Sequence, residues 1–253
     1  MAEYLTDPLL AGLPHGFFTR RGGVSDGPFA SLNCSLSGRD ELVRVAENRA
    51  RAAAALGLPP GALAGLYQVH GTEAVAVGHP WPDTARPRAD AMVTDRPGVG
   101  LAIVTADCAP VLFADRAAGV VGAAHAGWRG ALGGIVAATV AAMARLGARP
   151  GDIAAVVGPS IRQPSYEVDE GFRAGWLAAD PANQRHFVPG TRPGHHQFDL
   201  AGAVAAAARA AGCGEVAVLA ADTAAEPETF FSYRRNTLAG GGPFGHQVSI
   251  IAL

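Results

Sequence analysis

Seven short apolar runs, rich in β-branched residues, constrain the fold of this 253-residue chain more than any other feature. They span residues 74–77, 101–105, 110–115, 119–125, 154–158, 216–220 and 247–251. Nearly every position in these runs is apolar, whereas a half-exposed strand would alternate apolar and polar residues. This pattern is typical of β-strands that are buried on both faces.

Three longer segments between these runs have the apolar spacing of helices. They cover residues 41–57, 131–147 and 200–212, and each ends at a glycine, as helices commonly do. Polar residues and prolines cluster at 78–90 and 180–198, which we expect to be the most flexible segments, but neither marks a domain boundary. The sequence therefore predicts one α/β domain over residues 1–253.

Charge and composition exclude several classes of function. The net charge is −2, which gives no electrostatic reason to expect binding to nucleic acid or to an anionic membrane. All twenty cationic residues are arginine, so a Schiff-base lysine and a P-loop lysine are both excluded. The chain shows neither a signal peptide nor an apolar stretch long enough to span a membrane, and we expect a cytoplasmic protein. Three cysteines make a disulfide framework improbable.

Three potential metal ligands fall at the ends of predicted strands. His70 lies in "QVHG", Cys108 in "TADC" and His125 in "HAGWRG". Functional groups of α/β proteins gather at such ends, because the sheet fixes the backbone there while the side chains stay free. Two imidazoles and a thiolate suit Zn²⁺, and three protein ligands leave a fourth position open, as in catalytic zinc sites. Buried histidines beside an inert core thiol are the alternative.

Seven ordered segments of the chain carry a resemblance to a known family. They are residues 15–33, 47–49, 68–71, 89–115, 123–136, 157–168 (in two parts, "VGPSI" and "YEV") and 230–235. From end to end the chain resembles the multicopper-oxidase-like YfiH family, also called laccase-domain or peptidoglycan editing factor proteins. The resemblance implies a single-domain layered sandwich of mixed β-sheets flanked by helices. It also implies a zinc ion held by His70, Cys108 and His125.

The resemblance further implies a small-molecule substrate. The implied reactions are phosphorolysis of adenosine, inosine and methylthioadenosine, together with deamination of adenosine. Some members are linked instead to the removal of a misincorporated amino acid from a peptidoglycan precursor. The chain departs from the family in lacking a cysteine before "FFSYRR", and in placing His246 after Gly245 where an arginine is usual. The second departure removes a cation that could face a ligand.

Candidate catalytic residues lie beside the proposed ligands in sequence. Asp107, next to Cys108, is a candidate for proton transfer, and a turn or capping aspartate is its equally weighted alternative. Arg129, four residues after His125, is the first candidate for a phosphate contact, because arginine binds phosphate bidentately.

Further candidates for substrate contacts lie outside these motifs. They are Phe18, Arg20, Arg21, Asn33, Arg234 and Arg235. Phe18, Phe231 and Tyr233 could stack a purine, although isolated aromatic residues more often belong to a core. Trp128 is either a packing residue or part of the site.

Three other functions compete with the zinc enzyme. Cys108 could be a nucleophile, with His125 or His70 as its base, in an amidase that acts on a cell-wall precursor. A copper laccase would need about ten histidines, largely in His-x-His pairs, whereas this chain has eight histidines and no such pair. A non-enzymatic zinc-binding or scaffold protein would show no turnover.

Overall fold

Two large β-sheets pack face to face in the computed structural model, which describes residues 1–253. The first has the order β1-β2-β14-β6-β3, formed by Tyr4–Leu5, His15–Phe18, Gln247–Ala252, Gly100–Thr105 and Leu63–Ala64. The second has the order β13-β9-β7-β8-β5-β4, formed by Glu215–Val218, Ala154–Val157, Ala109–Asp115, Val120–Ala126, Ala91–Thr94 and Ala74–Ala76. Both sheets contain parallel and antiparallel neighbours.

The side chains of β7 show why its sequence is apolar at successive positions. Leu112 points between the two sheets, where it packs in one cluster with Phe17 and Ile103 of the first sheet. Val111 and Phe113 point to the opposite face, which helices cover. Because both faces are buried, no position in the strand faces water, and burial of each such side chain contributes about 1.5–3 kcal/mol.

Helices close both outer faces. α1 (Leu42–Ala55) packs on the first sheet through Ala52 and Ala53. α3 (Ile135–Arg145) and α5 (Leu200–Ala210) pack on the second sheet. The layers therefore run helix, sheet, sheet, helix, which confirms the predicted layered α/β sandwich with mixed sheets.

The helix predicted over residues 131–147 is two helices. α2 (Trp128–Gly133) and α3 meet at Gly134, whose φ of 98° lies in the left-handed region that glycine adopts without steric cost. The apolar spacing continues across the break, so the sequence pattern does not reveal it. Because α2 begins two residues after β8 ends, Trp128 and Arg129 lie close to the end of that strand.

Two strands of a third, small sheet lie within residues 180–198, one of the two segments that the sequence predicts to be most flexible. β10 (Glu167–Asp169), β11 (Phe187–Pro189) and β12 (His195–Phe198) pair in the order β10-β12-β11. α4 (Glu170–Ala179) packs beside this sheet, and Phe172 and Trp176 of α4 contact Phe198. Residues 180–198 thus contain regular structure around an aromatic cluster. The remaining α-helix is α6 (Tyr233–Leu238), and no helix is long and apolar enough to cross a lipid bilayer.

Candidate active site

The three predicted ligands meet at one edge of the paired sheets. Cys108 lies between β6 and β7, His125 is the last residue but one of β8, and His70 lies in the loop before β4. Their ligand atoms are all within 4.8 Å of one another. Cys108 Sγ is 3.9 Å from His70 Nε2, and the two imidazole centroids are 4.7 Å apart. The chain therefore forms a His–Cys–His group that could hold a metal ion.

The backbone around this cluster is adapted to bring the side chains together. His70 has a φ of 59°, a left-handed conformation that is uncommon outside glycine. A Cβ atom on Gly127 would lie 2.9 Å from Cys108 Sγ and 3.0 Å from His70 Cδ2. Only glycine therefore leaves room for the cluster at position 127.

Asp90, which the sequence analysis did not identify, fixes two of the three ligands. This buried residue accepts a hydrogen bond from His125 Nδ1 at 2.8 Å and backbone hydrogen bonds from His70 at 2.9 Å and Gly71 at 2.6 Å. Since the carboxylate only accepts, Nδ1 of His125 carries a proton, which leaves Nε2 as the atom that would bind a metal ion. Carboxylates that orient metal-binding histidines in this way are a common feature of metal sites.

The electrostatics of the cluster favour an ionised thiol. Burial by itself would raise the pKa of Cys108, but the imidazoles of His125 and His70 outweigh burial and lower that pKa to about 6. Burial would lower the pKa of His125, yet the Cys108 thiolate and the Asp90 carboxylate raise it to about 9. Burial likewise opposes ionisation of Asp90, but the hydrogen bonds from His125 and Gly71 bring its pKa below the usual value. A thiolate is the form of cysteine that binds metals and attacks electrophiles.

A cavity of about 920 Å³ opens directly onto the cluster. Its lining includes the three ligands, Trp128 and Arg129 of α2, Tyr233 and Arg234 of α6, and His246. Tyr233, Phe244 and His246 form a continuous aromatic wall, with neighbouring ring centroids 5.7 and 4.8 Å apart. Tyr233 is 58% exposed, so a planar ligand can reach its ring.

Two of the predicted arginines reach this cavity. The guanidinium of Arg129 lies over the Trp128 ring, 4.5 Å from its centroid, and forms no hydrogen bond or ion pair with the protein. Arg234 donates to the backbone carbonyl of Glu167 at 2.9 Å and lies over the ring of Tyr166. Arg129 thus has all its donors available for a ligand, whereas Arg234 is partly engaged.

The other three predicted arginines, Arg20, Arg21 and Arg235, do not line the cavity. Arg20 donates to the carbonyls of Ala30 and Pro227, and Arg21 donates to that of Glu228. Arg235 donates to the carbonyls of Thr223, Ala224 and Phe230. Their guanidinium groups satisfy loop carbonyls that would otherwise lack donors.

Phe18 and Asn33 are also absent from the cavity lining. Phe18 is buried in the core cluster beneath α1. Asn33 Oδ1 accepts from the backbone N–H of His246, and Asn33 Nδ2 donates to Asp40. Phe231 is buried under the Arg20 guanidinium, so of the three candidate stacking residues only Tyr233 faces the cavity.

Asp107 adjoins the cluster but binds another part of the chain. Its two carboxylate oxygens accept hydrogen bonds from the Thr223 hydroxyl at 2.6 Å, the Ser232 hydroxyl at 2.9 Å and the Arg234 backbone N–H at 2.6 Å. Burial raises its pKa, against the opposing effect of these donors. The geometry matches the capping alternative, because the carboxylate anchors the segment that leads into α6.

Fold and site together define an α/β protein in which a His–Cys–His group that could hold a metal ion lines a large cavity. The family model described as "Multi-copper polyphenol oxidoreductase laccase" matches residues 14–253. The chain belongs to this family.

Relatives of known sequence and structure agree with this membership. A Deinococcus radiodurans protein named purine nucleoside phosphorylase is 46% identical over 98% of this chain and 92% of its own length. Purine nucleoside phosphorylase YfiH of Shigella flexneri is 38% identical over 92% of this chain and 93% of its own. Protein NMB0706 of Neisseria meningitidis has a crystal structure that covers 100% of this chain and 98% of its own, with 35% identity and a TM-score of 0.86.

Proposed function

We propose that the protein is a zinc-dependent purine nucleoside phosphorylase that also deaminates adenosine. The observation that carries the proposal is that the His70–Cys108–His125 group and the unpaired guanidinium of Arg129 face one cavity. The names of the relatives support the nucleoside as substrate. Adenosine, inosine and methylthioadenosine are the proposed substrates.

The ligand set fits zinc. Two histidines and a thiolate are a zinc donor set, and Asp90 holds His125 in the tautomer that a metal requires. When bound, the ion would supply Lewis-acid catalysis at the base of the cavity. Copper oxidase chemistry fits less well, because this group offers only three ligands and the chain contains no His-x-His pair.

Other residues at the cavity would bind phosphate and the purine base. Arg129 would bind the phosphate through charge-assisted hydrogen bonds, and the aromatic wall that begins at Tyr233 would stack the purine. In phosphorolysis a phosphate oxygen bonds to C1′ of the ribose as the glycosidic C–N bond breaks, and the base leaves with the electron pair and takes up a proton. We assign Asp107 to positioning α6, because its oxygens already hold Thr223, Ser232 and Arg234.

Product analysis tests this function. Zinc-replete protein is incubated with each nucleoside, with and without phosphate, and the products are separated by chromatography. We expect free base only when phosphate is present, and inosine from adenosine in either case. Cys108→Ala should abolish both products, whereas Cys34→Ala, which removes a buried thiol of the α1-side core, should retain them. Absence of free base and of inosine under every condition would overturn the proposal.

One observation favours a second function, a cysteine-dependent amidase that acts on a peptidoglycan precursor. Without a metal, the neighbouring imidazoles would keep Cys108 ionised near neutral pH, as a nucleophile requires. Metal analysis separates the two functions. Stoichiometric zinc that is lost in Cys108→Ala supports the phosphorylase, whereas metal-free active protein that is inactivated by alkylation of Cys108 supports the amidase.

A further inference from the structure

Arg49 of α1 is a buried cation without a partner in the protein. Its exposed fraction is 7%, and it forms no hydrogen bond and no ion pair. The neighbouring thiol of Cys34 cannot supply a counter-charge, because burial raises its pKa to about 12 even though Arg49 opposes that shift. A buried charge that lacks a compensating group is strongly destabilising. The nitrogen atoms of Arg49 are not among the fully buried polar atoms without a partner, so the guanidinium keeps a small accessible surface through which water or an anion can reach it.

A second guanidinium lies beside the first. Arg86 donates to the backbone carbonyl of Leu66 at 3.1 Å, and Arg49 Nη2 lies close enough to Gly65 that a Cβ atom there would be 3.2 Å from it. The two cations therefore rest against consecutive residues. Burial lowers the pKa of Arg86, Asp83 opposes that shift and the positive charge of Arg49 adds to it.

The pair faces the active-site cavity from one side. Arg86 lines the cavity. Besides the Leu66 carbonyl it donates to the backbone carbonyl of Asp83 at 2.9 Å, and its Nη2 has only a long contact, 3.5 Å to the Ser37 hydroxyl. Both arginines also border a small void of about 10 Å³, which is the size of one water molecule. Gln68, two residues from the ligand His70, lines both spaces. Arg86 can thus contact a ligand in the cavity directly, and Arg49 can act through one water.

We propose that Arg86 and Arg49 form a second anion subsite of the cavity, which binds a phosphate group. Two adjacent guanidiniums match the double charge of a phosphate, and the Ser37 hydroxyl adds a donor. The phosphate group comes either from free inorganic phosphate or from the 5′-phosphate of a nucleotide. The subsite is separate from Arg129, and it deepens the proposed function by extending the substrate class to nucleotides or by adding a site for the co-substrate.

Equilibrium binding by calorimetry tests this subsite without depending on turnover. The probes are inorganic phosphate, adenosine and adenosine 5′-monophosphate, each measured alone. The variants are Arg86→Gln, Arg49→Met and Arg129→Gln, with Arg145→Gln, an exposed arginine of α3, as the matched control.

We expect Arg86→Gln to weaken binding of one phosphate-bearing probe on the order of tenfold or more, with a smaller loss in Arg49→Met and none in Arg145→Gln. If Arg86→Gln weakens the binding of inorganic phosphate, the free ion is the ligand of this subsite. If the nucleotide is the ligand, it binds more tightly than adenosine to the unmodified protein and loses that advantage in Arg86→Gln. The proposal is overturned if Arg86→Gln and Arg49→Met leave the affinities for both phosphate-bearing probes unchanged.

Thermal unfolding provides a second readout. Removal of an unpaired buried charge is expected to stabilise the fold, so Arg49→Met should raise Tm in phosphate-free buffer and show a smaller phosphate-induced rise in Tm than the unmodified protein. A lower Tm with an intact phosphate-induced rise contradicts this subsite. If the protein released no free base yet bound phosphate in this manner, the proposed function would fail and the subsite would stand.

Discussion

Two buried aspartates flank the His–Cys–His group, and they differ in what they hold. Asp90 contacts the imidazole of His125 and the backbone of His70, so it holds two of the three potential metal ligands in place. Asp107 is the direct neighbour of Cys108 in sequence, yet its carboxylate accepts all its hydrogen bonds from the segment between Thr223 and Arg234. The carboxylate that holds the potential metal ligands is therefore Asp90, which is 18 residues from Cys108 in sequence, rather than its direct neighbour.

The protein also shifts the pKa values of these two carboxyl groups in opposite directions. Hydrogen bonds from an imidazole and from backbone amides bring the pKa of Asp90 below its usual value despite burial. Burial dominates for Asp107 and raises its pKa. We infer that Asp90 holds the potential metal ligands through its charge. Asp107 holds the segment that leads into α6 mainly through the geometry of its hydrogen bonds. Substitutions at the two positions should therefore separate metal affinity from substrate affinity.

The largest effect is expected at Asp90. Asp90→Asn removes the charge that orients His125, and loss of such a carboxylate typically weakens metal binding about 10–100-fold. Competition with a zinc chelator measures this affinity. Asp115→Asn, a buried aspartate at the opposite end of β7, is the control and should leave metal affinity unchanged. Equal zinc affinity in Asp90→Asn and the unmodified protein would disprove the ligand-orienting role.

A smaller effect, of a different kind, is expected at Asp107. Asp107→Asn places an NH₂ group against at least one of three donors, which should reduce the free energy of unfolding by about 1–3 kcal/mol. The KM for nucleoside should rise because Arg234 and α6 shift, while the zinc content stays at one per chain. Denaturant unfolding, nucleoside kinetics and metal analysis of one preparation of the variant check these three expectations. A fall in kcat at unchanged KM and unchanged stability would instead support proton transfer by Asp107.

The smallest effect is expected among the arginines. Arg129→Met should raise the KM for phosphate about tenfold through loss of charge-assisted hydrogen bonds, with little change in stability. Arg20→Met should leave the KM for phosphate unchanged and lower the stability, because it leaves the carbonyls of Ala30 and Pro227 without donors. Initial rates at varied phosphate and thermal unfolding of both variants measure the contrast. An equal rise in KM for the two variants would remove the distinction between cavity and loop arginines.

The fold was predictable where burial on both faces of a strand makes its sequence continuously apolar. Strands such as β7 are apolar at every position because both faces are covered, and they were identified with nearly correct bounds. The short strands β10, β11 and β12 were not, because their residues are mostly polar or partly exposed. The break at Gly134 was missed for a stereochemical reason, since the apolar pattern runs through it.

The site was predictable to a similar extent. His70, Cys108 and His125 were identified from their positions at strand ends, and the structure brings all three together. Asp90 directly precedes β5, which is the one signal that could have identified it. The arginines near residues 20 and 235 were expected to contact substrate, because a sequence does not show whether a guanidinium turns to a cavity or to a loop carbonyl.

The central claim is that His70, Cys108 and His125 hold one zinc ion at the base of the cavity. Anomalous diffraction from crystals, measured on both sides of the zinc absorption edge, tests it most directly. The account predicts a single zinc peak within bonding distance of His70 Nε2, Cys108 Sγ and His125 Nε2, at full occupancy. A zinc peak elsewhere in the protein, or none at this cluster in zinc-replete crystals of active protein, would contradict it.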